Sequence, residues 1–115
     1  MFKIEMVNGV PEVKVENLKE FVGKIRLIDV RNPNEFTGEL GHIESAELVT
    51  LGHELQSYLE AGVAELKEEV IVFICRSGSR SGQATIFSQQ LGYQKVYNLQ
   101  GGMLRWNALQ LPIQK

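Results

Sequence analysis

The chain has 115 residues, 43% hydrophobic and 23% charged, a size and balance that fit one folded domain over residues 1–115 and exclude a disordered tail. A formal net charge of −2 supplies no basic face, so no nucleic-acid partner is expected. The single cysteine, Cys75, excludes an internal disulfide, and without a second cysteine or a histidine cluster no metal site is expected.

The start, Met1-Phe2-Lys3-Ile4-Glu5-Met6, has no long apolar run and does not read as a secretory leader. The longest apolar run, Val70 to Ile74, is far too short to span a membrane. The expectation is therefore a protein without a membrane partner, in the reducing setting of the cytoplasm.

In chain order, Glu12-Val13-Lys14-Val15 alternates and predicts a short strand. Residues 16–22 place Leu18, Phe21 and Val22 on one helical face, and Gly23 can end that helix. Residues 25–30 are rich in β-formers and stop at Asn32-Pro33-Asn34, a turn signal. Residues 46–50 predict another short strand. Leu51, Leu55, Tyr58, Leu59 and Leu66 follow helical spacing, with a break near Gly62. Residues 70–74 are apolar throughout, so both faces should be buried, as in a central parallel strand. Ala84, Phe87 and Leu91 recur at helical spacing, and Gly92 closes that helix. Residues 95–99 form the next strand, and Gly101-Gly102 introduces a last helix carrying Met103 and Trp106. Strands alternate with helices, which gives an α/β fold with a mainly parallel sheet.

The informative segment is Cys75-Arg76-Ser77-Gly78-Ser79-Arg80-Ser81, which leaves the buried strand and opens a helix. Ligand sites in parallel α/β sheets lie at the carboxyl ends of the strands. A loop of small residues can curl until its N–H groups converge, and the following helix adds partial positive charge. Gly78 permits a backbone conformation closed to most residues. Ser77, Ser79 and Ser81 can donate hydroxyl hydrogen bonds, and Arg76 and Arg80 bring permanent charge. Such a loop is built for an anion and favours the Cys75 thiolate, with a pKa below the free-thiol value of about 8.5. A lone intracellular cysteine is often only a small buried hydrophobe, but a structural turn rarely surrounds one with two arginines and three serines.

With this loop, two further segments carry a family resemblance. Asp29-Val30-Arg31 is followed by Glu35-Phe36 and Gly41-His42-Ile43, and Asn98-Leu99-Gln100-Gly101-Gly102-Met103 precedes Trp106. In this order and spacing the chain resembles the rhodanese sulfurtransferases over nearly its whole length. The resemblance implies a three-layer domain with a central, mainly parallel five-stranded sheet flanked by helices. It also implies a reaction in which Cys75 takes the sulfane sulfur of a small anionic donor such as thiosulfate. The Cys75 persulfide then passes its outer sulfur to a thiol, cyanide or a protein acceptor, with no metal or organic cofactor. Arg76, Ser77, Gly78, Ser79, Arg80 and Ser81 would bind the substrate.

Asp29 and Arg31 have two readings, tuning the site or tying its loops together as a buried ion pair. His42 invites a cysteine–histidine pair, although the loop can stabilise a thiolate without one. His53 is expected in solvent, Met103 and Trp106 in the core, and residues 65–69 at a solvated helix end. Two rival functions remain. Cysteine phosphatases and arsenate reductases use a similar loop, but with five residues between cysteine and arginine, where this chain has four. The other rival is a non-catalytic interaction module, many of which lack the cysteine kept here.

Overall fold

A computed structural model describes residues 2–62 and 64–115. Asn8-Gly9, with φ of 51° and 81°, closes a hairpin between β1 (Glu5–Val7) and β2 (Val10–Lys14). Positive φ at both central residues matches the right-handed twist of paired strands. A short helix α1 (Val15–Leu18) and one 3₁₀ turn (Lys19–Phe21) follow where one helix over 16–22 was expected. Gly23, at φ +83°, closes that segment.

Then come β3 (Arg26–Asp29), α2 (Pro33–Phe36) and β4 (Glu47–Leu48). The Asn32-Pro33-Asn34 turn is instead a helix start. Pro33 occupies the first turn, where its missing N–H costs nothing, and Asn32 with Glu35 forms a capping box. The expected helical stretch from Leu51 to Leu66 divides into α3 (His53–Glu60) and α4 (Ala64–Glu68). β5 (Ile71–Ile74), α5 (Ser79–Gln90), β6 (Val96–Gln100) and α6 (Gly102–Ala108) complete the order.

The sheet runs β1-β2-β6-β5-β3-β4, with every pair parallel except β1 with β2. It has six strands, not five. The extra one is the antiparallel edge strand β1, whose Glu5 and Met6 are exposed. Only the Asn8-Gly9 dipeptide announced it.

β5 lies between β6 and β3, and all four of its residues are buried. Ile71 and Phe73 pack on one face of the sheet with Leu55, Leu59 and Ala84 of α3 and α5. Val72 and Ile74 pack on the other with Leu18, Met103 and Trp106 of α1 and α6. Each such side chain contributes roughly 1.5–3 kcal/mol on burial. Helices thus cover both faces, and the central strand is held from both sides. α5 sits closer to the sheet than its expected apolar face required. Ser81, Gly82, Ala84, Thr85 and Ser88 are its buried residues, while Phe87 and Leu91 are only partly covered. Among the described residues no helix is long and apolar enough to cross a membrane.

Candidate active site

Cys75 follows β5 directly, at the carboxyl edge of the sheet. Gly78 adopts φ +108°, a left-handed conformation that strains any residue with a Cβ, and begins α5. The turn brings the Gly78 N–H to 3.0 Å from Cys75 Sγ. One helical turn further, the Ser81 hydroxyl oxygen lies 3.2 Å from the same sulfur. Cys75 is 1% exposed, so its sulfur forms the floor of the loop.

The loop is also gripped from behind. The N–H of Met103 donates to the Cys75 carbonyl at 2.9 Å, and that of Leu104 to the Arg76 carbonyl at 3.0 Å. These amides lie in the first turn of α6 and have no partner within the helix. With its carbonyls tied there, the loop turns its amides toward the sulfur. Gly102 makes the close approach possible. A Cβ at this position would lie 2.5 Å from the Cys75 carbonyl oxygen and 2.6 Å from that of Arg76. In the sequence Gly101-Gly102 marks a helix start and part of a family motif, and neither reports this close approach.

Burial pushes the Cys75 thiol pKa up, but hydrogen bonds from the Ser81 hydroxyl and the Ser81, Gly78 and Ser77 amides outweigh it. The net direction is down from the ordinary value. Ser77 and Ser79 themselves are exposed.

The two arginines behave differently. Arg80 makes a bidentate pair with Glu35, at 2.7 and 2.9 Å. The Arg80 guanidinium holds the Glu35 carboxyl down at about 2, against burial, and Glu35 in turn raises Arg80. Arg76 is exposed and makes no ion pair among the described residues. It lines a hollow of about 330 Å³ with Arg31, Asn34, Glu35, Gly38 and Leu40. Glu35 carried only a motif role in the sequence. Its partner lies 45 residues away, and no local pattern announces that contact.

Asp29 and Arg31 are 0% and 1% exposed. The Arg31 Nη2–H donates to Asp29 Oδ2 at 2.8 Å and its Nε–H to Asp29 Oδ1 at 2.9 Å. Arg31 also donates to the carbonyls of Gly41, at 2.7 Å, and Glu35, at 3.3 Å. The pair therefore ties the end of β3 to α2 and to the 38–41 turn. His42 stacks on Phe36 with ring centroids 3.6 Å apart, and its Nδ1 lies 2.8 Å from the Phe36 carbonyl oxygen. It is not among the hydrogen-bond partners of Cys75. His53 is exposed, and Met103 and Trp106 lie in the core.

Asn98 stands in the sequence only as part of the Asn98–Met103 motif, with no role of its own, and the structure brings it to the site. It is 1% exposed on β6, and its Oδ1 accepts the Ser81 hydroxyl. Its Nδ2 donates to Glu12 Oε2 at 2.8 Å and to the Gly78 carbonyl at 3.0 Å. A buried amide in a strand beside Val96 and Leu99 was the available signal. No buried polar side-chain atom among the described residues lacks a hydrogen-bond partner.

Residues 14–109 match the family model described as a rhodanese-like domain. A sulfurtransferase of Allochromatium vinosum is 31% identical over 109 residues, covering 94% of this chain and 95% of that protein. The human thiosulfate:glutathione sulfurtransferase is 30% identical, covering 85% of this chain and 94% of its own length. Other relatives are longer: the chain spans 61% of a 38% identical Bacillus subtilis protein and 46% of a Synechocystis one. The structure of a human single-domain sulfurtransferase superposes with a TM-score of 0.73 at 30% identity, covering 87% of this chain and 97% of that one. The parallel sheet, the cysteine at the end of its central strand and a family match spanning the loop and both flanking motifs agree, and the chain belongs to the rhodanese-like domain family.

Proposed function

We propose that the protein is a sulfurtransferase that carries a sulfane sulfur as a persulfide on Cys75. The observation that carries this reading is the cradle itself, a buried sulfur facing the Gly78 amide and the Ser81 hydroxyl at the carboxyl end of a central strand. The Cys75 thiolate attacks the sulfane sulfur of a small anionic donor such as thiosulfate. The donor's S–S bond breaks, and sulfite leaves with the electron pair. An acceptor thiolate, cyanide or a protein thiol then attacks the outer sulfur of the persulfide. The bond to Sγ breaks, and its electron pair returns to Cys75. The thiolate that attacks, and that leaves again at release, carries its negative charge where the loop donors converge, so they act as an anion hole acts in acyl transfer.

Arg76, exposed at the rim, meets the anionic end of the donor. Arg80 shapes the loop through Glu35, and Asp29 with Arg31 holds the backbone at Glu35 and Gly41. No metal or organic cofactor enters this chemistry. A reducing compartment such as the cytoplasm suits a thiol that must be regenerated in every cycle.

The test is intact-protein mass spectrometry after exposure to thiosulfate, beside an assay of transfer to cyanide. The expected result is a gain of one sulfur atom that is lost on adding a thiol and absent in Cys75→Ser. Hydrolysis of p-nitrophenyl phosphate that depends on Cys75, without sulfur loading, would overturn the proposal.

A further inference from the structure

The Ser81 hydroxyl has one proton and two neighbours that can accept it. Cys75 Sγ lies 3.2 Å from its oxygen on one side, and Asn98 Oδ1 is on the other. The orientation of the Asn98 amide is fixed by chemistry. Its Nδ2 faces the Glu12 carboxylate and the Gly78 carbonyl, and both are acceptors only. A flipped amide would set oxygen against oxygen twice, so Oδ1 must face Ser81. Glu12 is held in turn by the Gln100 amide, which donates to its Oε1 at 3.0 Å. Glu12 and Asn98 are also register partners on β2 and β6, so the backbone fixes their spacing.

We infer that Asn98 is a positioning residue that takes the Ser81 hydroxyl proton whenever Cys75 Sγ does not need it, and so favours the sulfur-loaded form of the protein. The inference rests on the persulfide reading above and names a regulator of that same site. When Cys75 is a thiolate, the Ser81 proton turns to Sγ and stabilises the charge. When Cys75 carries a persulfide, Sγ is bonded to the outer sulfur and is a poor acceptor. The Ser81 proton then returns to Asn98 Oδ1, and no buried donor is left unpaired. During sulfur release the acceptor attacks the outer sulfur, the Sγ–S bond breaks, and its electron pair goes to Sγ. Ser81 must leave Asn98 for the sulfur in that step. Asn98 therefore competes with the leaving group for one proton, and slows release.

The charged groups around the sulfur are Arg76 on the loop, Arg80 on α5 with Glu35 on α2, Asp29 and Arg31 at the end of β3, and Glu12 on β2. His42 lies beside Phe36. Asn98→Ala alters none of these charges. It leaves the Ser81 proton to the sulfur and also removes the Asn98 bonds to Glu12 and the Gly78 carbonyl, a loss that the Ser81→Ala background carries equally.

The experiment follows the pH dependence of iodoacetamide alkylation of the unloaded protein, in Asn98→Ala with and without Ser81→Ala. With Ser81 present, Asn98→Ala moves the alkylation midpoint to lower pH. Without Ser81, that downward shift is absent. In the loaded protein, Asn98→Ala speeds sulfur transfer to a thiol by about threefold or more, the scale of one modest hydrogen bond. An unchanged or raised midpoint overturns the assignment, as does the same shift with and without Ser81. Should Asn98→Ala fail to fold, Asn98→Leu keeps the volume and carries the same comparison. The midpoint is read without any sulfur donor, so the sharing of the Ser81 proton is tested apart from sulfur loading, and a failure to load sulfur overturns the proposed function and with it the effect on release.

Discussion

Two loops leave adjacent parallel strands at the same edge of the sheet, and they use polar groups in opposite ways. After β3, Asp29 and Arg31 spend their charges on each other and on the carbonyls of Glu35 and Gly41. After β5, the Cys75 loop surrounds its sulfur with amides and a hydroxyl and has no charged group bonded to it. The first loop is a fastener, since charges removed from water must be matched inside the protein. The second keeps its donors for an anion. Two neighbouring loops of similar polarity therefore divide the labour, one stabilising the edge of the sheet and the other, in the proposed reaction, presenting the nucleophile.

The sharpest break in this comparison is Cys75→Ser. It should abolish thiosulfate:cyanide transfer while thermal unfolding stays close to wild type, because the change in size is small. Retained transfer would remove the nucleophile from the second loop.

Asp29→Ala should do the reverse. Stranding the Arg31 charge in a buried site costs about 3–5 kcal/mol. Denaturant unfolding should report that loss. A change below about 1 kcal/mol would show that the pair is not the fastener described.

Arg76→Ala should raise the KM for thiosulfate and lower kcat/KM about tenfold, the value of one charge-assisted hydrogen bond. Arg80→Ala should act more on kcat and on stability, because its guanidinium is already bound to Glu35. Equal effects on KM from both substitutions would mean that Arg80 releases Glu35 to meet the donor.

The smallest effect concerns acid. The Glu35 carboxyl titrates at about 2 in the folded protein, down from 4.5. Its contribution is complete above about 4.5 and is lost as pH falls toward 2. The pair is partly open to water, so the contribution is about 1 kcal/mol or less. Glu35→Gln should flatten that part of the stability–pH curve, and an unchanged slope would remove the pair from the acid response.

Much of the second loop was legible in the sequence. A strand apolar at every position, followed by cysteine, glycine, serines and arginines, points through residue type alone to a loop that gathers donors around a thiol. The central position of β5 followed from the same run. The first loop was half legible: Asp29-Val30-Arg31 stood out, but whether it tuned or fastened depended on burial. What stayed hidden depends on distant pairing. Asn98 meets Glu12 across 86 residues, and Arg80 meets Glu35 across 45. No spacing rule reports such contacts, because strand order sets them. β1 was missed for another reason. Its three residues are too few and too exposed to show a period, and only the Asn8-Gly9 turn marked it.

The hydrogen bonds from Met103 and Leu104 to the carbonyls of Cys75 and Arg76 also bear on the order in which the molecule is completed. Cys75 leaves the ribosome well before the segment that shapes its loop. Until residues 101–104 have followed, the carbonyls of Cys75 and Arg76 lack the donors that hold the loop from behind. The last support of the loop thus arrives late in synthesis, on the same helix that covers one face of the central strand. A polypeptide halted before that point would lack both that support and the Met103 and Trp106 side chains of the core.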